Sequence, residues 1–239
     1  MKNICIFTGT RAEYGLLNNL LNLLNEEVNF KITLLVSGTH LSKAYGETIT
    51  EIENSFKGNL AKINLSLDKD FSIGSITSDA LKKYSDFLSR NSFDLVFLLG
   101  DRYECFAMAS AAFLSRVSIA HIHGGETTLG AIDNALRHSI THMAKFHFVS
   151  HKKHLKKVLE LGADKKNSLI VGPMVLDKLN QNINVSRNEF VSKTGYKFNK
   201  YNILISFHPE TLSEDYGHQI FKNLIDSIEA LHNDKELEI

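Results

Sequence analysis

Apolar positions in the first 171 residues form short runs that alternate with longer segments of helical periodicity. The runs are short and continuous, and they predict strands buried on both faces. They are Ile4–Thr8, Phe30–Val36, Ala61–Leu65, Leu95–Leu99, Ser118–Ile122, Phe146–Ser150 and Ser168–Val171. Between them, apolar residues three and four positions apart predict helices at about 16–24, 43–54, 79–90, 103–114, 132–144 and 151–161. This alternation predicts right-handed crossovers and a parallel sheet covered by helices on both faces.

The alternation is interrupted at Gly172-Pro173-Met174. After a polar segment at 177–187 the pattern predicts a helix at Phe190–Thr194, a strand at Asn202–Phe207 and a helix with apolar positions from Ile220 to Leu231. One strand and one good helix bury too little apolar surface for a domain. The sequence therefore predicts an α/β protein with two doubly wound parallel-sheet domains, 1–172 and 173–239, the second incomplete in this chain. The alternative is that the last strand and helix pack onto the first domain.

Composition excludes several classes of protein. The 239 residues include 27 basic and 27 acidic side chains, so no net charge steers the chain towards nucleic acid or an anionic membrane. Cys5 and Cys105 lie in apolar stretches and are predicted to be buried free thiols, as expected in the cytoplasm. No apolar stretch reaches the length of a signal-peptide core or a membrane span. We therefore expect a cytoplasmic protein without membrane partners.

Polar clusters follow four of the predicted strands directly. They are Gly9–Tyr14, Asp101–Glu104, His121–Glu126 and His208–Glu210. Loops that follow parallel strands share the carboxyl edge of a sheet, where open α/β sheets bind ligands. We therefore expect a small-molecule site built from these loops.

The first cluster, Gly9-Thr10-Arg11, joins a strand to a helix and offers backbone N–H groups and a guanidinium to an anion. It matches neither a dinucleotide-binding fingerprint nor a phosphate-binding P-loop. The alternative is a plain strand-to-helix turn in which Arg11 pairs with Glu13.

The second cluster carries Asp101, whose carboxyl group is suited to proton transfer if partial burial raises its pKa. The alternative is that Asp101 caps the helix that follows. Arg102 is placed to pair with Asp101 or with a ligand phosphate.

The third cluster is His121-Ile122-His123-Gly124-Gly125-Glu126. Strand alternation predicts both histidines on one face, and the glycines allow a sharp turn that presents Glu126. A metal site is a competing interpretation, because His138 and His142 have the i, i+4 spacing of zinc ligands. No further carboxylate pattern completes such a site.

Two further residues are candidates. Asp133 lies near the start of a predicted helix, where the helix dipole favours a carboxylate, and it either joins the carboxylate cluster or forms a surface pair with Arg137. His208 ends the strand of the second unit, before Pro209, and is placed to contact a diphosphate, to act as an acid towards a leaving group, or to cap.

Several motifs in order along the chain resemble one enzyme family. They are GTRAEYGLL, GTHLS, GDRYE, HIHGGE, GAIDNALRHSITHMAK, GPMVLD and FHPET. The chain resembles the hydrolysing UDP-N-acetylglucosamine 2-epimerases of sialic-acid and legionaminic-acid pathways. The resemblance implies a two-domain GT-B fold with a UDP-sugar in the cleft. It also implies no metal or other cofactor, and a homo-oligomer (a dimer or tetramer).

The resemblance also implies a reaction. UDP is eliminated across C1–C2 of the sugar, and the resulting glycal is hydrated to free N-acetylmannosamine or its analogue. By resemblance, Asp101, Glu126 and Asp133 are catalytic. Arg11, Arg102 and His208 match positions near the diphosphate. The step performed by each carboxylate stays open, as does the choice between N-acetylglucosamine and a 2,4-diacetamido-6-deoxy sugar.

One departure from the family concerns length. Its members continue well past residue 239 with a segment that grips the uridine. We therefore expect the 239-residue chain alone to bind a UDP-sugar weakly and to turn over slowly or not at all. Three alternatives stay open: a GT-B glycosyltransferase, an inactive nucleotide-binding fragment, and a metal hydrolase.

Overall fold

The computed structural model describes residues 1–67, 72–179, 185–208, 215, 217–233 and 237–238. The chain divides into two compact units. The first comprises Met1–Thr127 and Asp133–Asn180, and the second comprises Thr128–Ile132 and Gln181–Ile239.

The first unit is built on a seven-stranded parallel sheet. Its strands are β1 (Lys2–Thr8), β2 (Phe30–Val36), β3 (Asn59–Lys62), β4 (Leu95–Leu99), β5 (Ser118–Ile122), β6 (Phe146–Val149) and β7 (Ser168–Ile170). Their order is β3-β2-β1-β4-β5-β6-β7, with every neighbouring pair parallel. The predicted α/β class with a parallel sheet is confirmed.

Helices cover both faces of this sheet. They are α1 (Arg11–Glu26), α2 (Ile49–Ser55), α3 (Ile73–Arg90), α4 (Tyr103–Leu114), α5 (Asp133–Met143), α6 (Lys152–Glu160) and α7 (Val175–Leu179). Side chains of β1 alternate between two cores: Ile4 and Ile6 pack with α1 and α2, whereas Cys5 and Phe7 pack with α3, α4 and α5. The order reverses direction between β1 and β4, so right-handed crossovers place the two helix groups on opposite faces. Both cysteines are buried free thiols, as predicted.

Some predicted boundaries differ from the structure. The helix predicted at 43–54 is interrupted by Gly46, whose φ of 86° is incompatible with a helix, so α2 begins only at Ile49. Strand β3 ends at Lys62, earlier than the predicted Leu65, because its ladder with β2 ends there. Phe113, an apolar residue near the end of α4, is 56% exposed, because the helix packs its alanines against the core instead.

The described part of the second unit contains α8 (Arg187–Thr194), β8 (Tyr201–Asn202), α9 (His218–Asn233) and β9 (Leu237–Glu238). Strands β8 and β9 pair in parallel. The strand predicted at Asn202–Phe207 is wrong beyond Asn202: no described residue forms a ladder with 203–207, and Leu204 is 99% exposed. No helix among the described residues is long and apolar enough to cross a membrane.

A close backbone contact fixes the loops that follow β1 and β2. Gly38 has a φ of 59°, and a Cβ at this position would lie 2.6 Å from the Gly9 carbonyl oxygen. The same oxygen accepts hydrogen bonds from the Thr39 backbone N–H at 2.9 Å and hydroxyl at 3.1 Å. The turn after β2 therefore rests directly on the loop after β1.

We predict that Gly38→Ala destabilises the protein more than Gly46→Ala. Both glycines have positive φ, which costs about 1 kcal/mol for alanine, but a Cβ on Gly46 has no neighbour within 4 Å. The clash at Gly38 adds about 1–3 kcal/mol. Urea unfolding measures the loss of unfolding free energy in each variant. Equal losses would show that the close contact of Gly38 with Gly9 does not contribute to stability.

Candidate active site

An ion pair links the loop after β4 to helix α5. Asp101 follows Gly100, whose φ is 86°, and its Oδ2 accepts a hydrogen bond from Arg137 Nη2. The side chains are 17% and 9% exposed, so both charges are largely removed from water. The cap predicted for Asp101 is wrong, since α4 has Arg102 as its N-cap residue. The predicted surface pair of Arg137 is wrong too, because Arg137 is buried.

The surroundings of Asp101 set its protonation. Burial raises the pKa of this carboxyl group above its ordinary value, Arg137 opposes the rise, and the charge of Asp133 adds to it. Arg102 lowers this pKa and Glu126 raises it through weaker interactions. The structure thus brings the carboxylates of Glu126 and Asp133 within electrostatic reach of Asp101.

Glu126 is held by two neighbours in the loop after β5. Its Oε1 accepts a hydrogen bond from Ser150 Oγ at 2.5 Å and lies 3.5 Å from His123 Nδ1. His123 Nε2 accepts from the Met174 backbone N–H at 3.3 Å. A nitrogen that accepts carries no proton, so a neutral His123 carries its proton on Nδ1, towards Glu126.

The two histidines of the HxH pattern do not share a face. Strand β5 ends at Ile122, and His123 has a φ of 64°, which turns it out of the strand. His121 stays inside the strand and is fully buried. The predicted alternation across 121–123 is therefore wrong, because the chain leaves extended geometry between the two residues.

A second charged cluster lies under the loop after β1. Glu104 is 1% exposed and accepts from Arg102 Nε at 3.2 Å and Nη2 at 3.3 Å. Arg102 therefore pairs with Glu104, two positions along the chain. Glu13 is buried beside them, and burial raises its pKa to about 7, a rise to which the charge of Glu104 adds.

The backbone N–H groups of the first loop, predicted to bind an anion, are hydrogen-bonded by the Glu13 carboxyl group instead. Its Oε2 accepts from the Gly9 N–H at 2.7 Å and the Thr10 N–H at 3.2 Å, completing a capping box with Thr10. The predicted pairing of Arg11 with Glu13 is wrong. Arg11 instead contacts Glu51 of α2, with Nη2 3.1 Å and Nε 3.2 Å from its carboxylate oxygens.

Asp133 and His208 belong to different units. Asp133 is the first residue of α5, in the first unit, where the helix dipole favours its charge. His208 is exposed in the second unit, with Nε2 3.1 Å from Ser206 Oγ. Pro209 and Glu210, which belong to the same predicted polar cluster as His208, lie outside the described residues.

Sequence reasoning missed the partners rather than the carboxylates. Arg137, Glu104 and Ser150 are not among the predicted catalytic or substrate-binding residues. The signal for Glu13 was present, since threonine followed three residues later by glutamate predicts a capping box. No group of three or more His, Cys, Asp or Glu side chains in the described part of the chain is arranged to hold a metal ion.

Comparison of folds assigns the chain to a class. The crystal structure of UDP-GlcNAc 2-epimerase from Neisseria meningitidis bound to UDP-GlcNAc superposes with a TM-score of 0.79 at 20% identity, covering 100% of this chain and 66% of that one. The parallel sheet and this likeness define an α/β protein of the GT-B-like class.

Comparison of sequences assigns the family. The profile described as UDP-N-acetylglucosamine 2-epimerase matches residues 22–239, and the chain belongs to this family. It is 36% identical over 236 residues to polysialic acid biosynthesis protein P7 of Escherichia coli, covering 98% of this chain and 60% of that protein. It is 35% identical over 234 residues to GDP/UDP-N,N'-diacetylbacillosamine 2-epimerase (hydrolyzing) of Campylobacter jejuni, covering 97% of this chain. The chain spans 61% of that second relative.

We predict that Arg137→Gln raises the pKa of Asp101 further. The guanidinium stabilises the ionised carboxyl group and so lowers the pKa of Asp101. Without it, less positive charge counteracts the rise in pKa that burial causes. Carboxyl carbon NMR across a pH titration measures the change. Arg90→Gln, at the exposed end of α3, is the control and should leave Asp101 unchanged; an unchanged titration in Arg137→Gln would contradict the role of the pair.

We predict that Glu13 makes stability fall as pH rises from 4.5 to about 7. The folded pKa of about 7 exceeds the ordinary 4.5, so the folded state binds the proton more tightly over this range. The loss amounts to about 3 kcal/mol at about 1.4 kcal/mol per pH unit. Glu13→Gln cannot titrate, so the difference in unfolding free energy between wild type and Glu13→Gln should change by this amount. Glu26 is exposed on the same helix, so Glu26→Gln should keep the wild-type dependence of unfolding free energy on pH. If the difference in unfolding free energy between wild type and Glu13→Gln does not change with pH, the prediction is wrong.

Proposed function

We propose that this protein is a hydrolysing UDP-N-acetylglucosamine 2-epimerase. The substrate is a UDP-sugar with an acetamido group at C2, and the products are UDP and the free 2-epimeric sugar. That sugar is N-acetylmannosamine or its 2,4-diacetamido analogue, a precursor for acidic sugars of the sialic or legionaminic type. Membership of the family and the word "hydrolyzing" in the name of the Campylobacter jejuni relative support the reaction.

The grouped carboxylates carry the proposal. Asp101 lies against Arg137 in a buried pair, Glu126 is hydrogen-bonded by Ser150, and Asp133 influences the pKa of Asp101. Carboxyl groups in unlike surroundings can act as acid and base at one pH. We assign the three carboxylates to proton transfer as a group.

The reaction balances without a redox partner. A carboxylate removes the proton from C2, the C1–O bond breaks, and UDP leaves with the electron pair, which creates a C1–C2 double bond. Water then adds its oxygen to C1, while a proton returns to C2 from the opposite face. The net change is hydrolysis with inversion at C2, and it needs one group that accepts a proton and one that donates it.

The departing diphosphate needs cationic and hydrogen-bonding groups. We assign this role to Arg11, Arg102 and His208. A guanidinium suits this task because its planar donors match phosphate oxygens. Arg11 and Arg102 at present hold Glu51 and Glu104, so binding of an anion would compete with these carboxylates.

The organisation of the chain belongs to the proposal as well. We assign residues 1–172 to a domain with the catalytic carboxylates and 173–239 to part of a nucleotide-binding domain. We also propose a cytoplasmic homo-oligomer that needs no metal.

Proton NMR in heavy water tests the reaction. The 239-residue chain, and a polypeptide that continues it to the length of the matched relatives, are each incubated with UDP-N-acetylglucosamine and with the 2,4-diacetamido substrate. We expect UDP and a free 2-epimeric sugar carrying deuterium at C2. Asp101→Asn, checked for folding by circular dichroism, should lower turnover about 10²–10⁴-fold.

Other outcomes would replace the proposal. Free sugar without deuterium at C2 would exclude elimination through that carbon. Sugar transfer that requires an added acceptor would identify a glycosyltransferase, and binding of UDP without turnover in either polypeptide would identify a nucleotide-binding module. Loss of activity in excess chelator would indicate metal-dependent hydrolysis.

A further inference from the structure

A buried histidine lies behind the proposed carboxylates without belonging to them. His121, in β5, is fully buried, and its Nε2 lies 2.8 Å from the Gly100 carbonyl oxygen. Its Nδ1 lies 3.1 Å from Thr141 Oγ1, on α5. The ring therefore contacts both segments that carry the Asp101–Arg137 pair.

These contacts fix the tautomer. A carbonyl oxygen only accepts, so Nε2 must carry the proton and donate it to Gly100. Burial lowers the pKa of His121 to about 3, which keeps the ring neutral and leaves Nδ1 as an acceptor. Thr141 Oγ1 is also 3.0 Å from the Arg137 carbonyl oxygen, so its single hydrogen is shared between two acceptors.

Gly100 is held from both sides by consecutive residues of β5. Its carbonyl oxygen accepts from His121, and its N–H donates to the Ile122 carbonyl oxygen at 3.2 Å. With a φ of 86° it turns the chain at this point, and Asp101 is the next residue. Rotation about Gly100 would displace the Asp101 carboxylate, and the two hydrogen bonds resist this rotation.

The glycine loop rests on the same ring. A Cβ at Gly124 would lie 3.0 Å from His121 Nδ1 and 3.0 Å from Thr141 Oγ1. Glu126 follows in this loop. One imidazole thus contacts the backbone that carries each of the proposed proton-transfer groups Asp101 and Glu126, and the helical turn that carries Arg137.

We propose that His121 is a positioning residue of the epimerase site: its neutral ring fixes Gly100, and through it Asp101, against α5 and the Gly124 loop. The proposal rests on the proposed function for its catalytic consequence, but not for its geometry. At metal sites, loss of a hydrogen bond that orients a ligand costs about 10–100-fold in activity, and we expect a loss of this order here.

Paired substitutions separate positioning from packing. His121→Gln keeps a donor and an acceptor on one planar group, whereas His121→Phe keeps ring shape and loses both. His147→Phe is the matched control, because His147 faces His121 in the β5–β6 register, is 1% exposed, and its Nδ1 has no hydrogen-bond partner among the described residues. Thr141→Val tests the Nδ1 contact if His121→Phe does not fold.

NMR of the 239-residue chain gives the first readout. We expect nitrogen shifts of a neutral ring protonated on Nε2 with no titration between pH 5 and 8. We also expect the Asp101 carboxyl titration to shift in His121→Phe, but not in His147→Phe or His121→Gln. A ring protonated on Nδ1, a ring that titrates in this range, or equal shifts in His121→Phe and His147→Phe would overturn the proposal.

Kinetics gives the second readout. It is measured in the 239-residue chain or in the longer polypeptide described above, whichever is more active. We expect His121→Phe to lower kcat about 10–100-fold with little change in KM, and His121→Gln to recover most of the loss. A folded His121→Phe or Thr141→Val protein with wild-type kcat and an unshifted Asp101 titration would overturn positioning. Absence of wild-type turnover would instead refute the proposed function, and the NMR comparison would still decide the geometry.

Discussion

The constraint on which the first unit depends is the cost of burying carboxylates at the carboxyl edge of its sheet. An unpaired buried carboxylate costs several kcal/mol, so each must find a cation or a set of N–H groups. Asp101 finds Arg137, Glu104 finds Arg102, and Glu13 finds the N–H groups of the first loop. The Asp101–Arg137 pair joins two different elements, so meeting this electrostatic demand also fixes the loop after β4 against α5.

The compensation is unequal between the buried carboxylates. Glu13 keeps a raised pKa despite two backbone donors, because the effect of burial is larger than theirs and Glu104 lies nearby. Asp101 keeps a raised pKa despite Arg137, because burial outweighs the ion pair and other carboxylates are near. An arrangement built for stability alone would pair every charge fully or replace it with apolar groups. Carboxylates with raised pKa values are common at proton-transfer sites, which supports the role proposed for Asp101.

Much of the first unit followed from hydrophobic pattern, and much of the site did not. Runs such as Leu95–Leu99 and Ser118–Ile122 matched the strands because doubly covered strands are short and continuously apolar. The sequence also located the carboxylates, since they follow strands directly. It did not predict that Asp101 pairs with Arg137, which lies 36 positions away, because periodicity carries no information on contacts between elements. Nor did it predict the positive φ of His123, since a histidine directly after a strand gives no sequence signal for a left-handed backbone.

The capping box of Glu13 has a consequence for how the first loop meets a ligand. A loop that waits for a phosphate to complete its hydrogen bonds must be ordered on binding, which costs conformational entropy. Here an internal carboxylate supplies the missing acceptors, and the Gly9 carbonyl oxygen is engaged as well. The loop therefore keeps its shape when empty. If this loop contacts the diphosphate as proposed, its affinity depends on side-chain cations rather than on backbone N–H groups, and little binding energy is lost in ordering the loop.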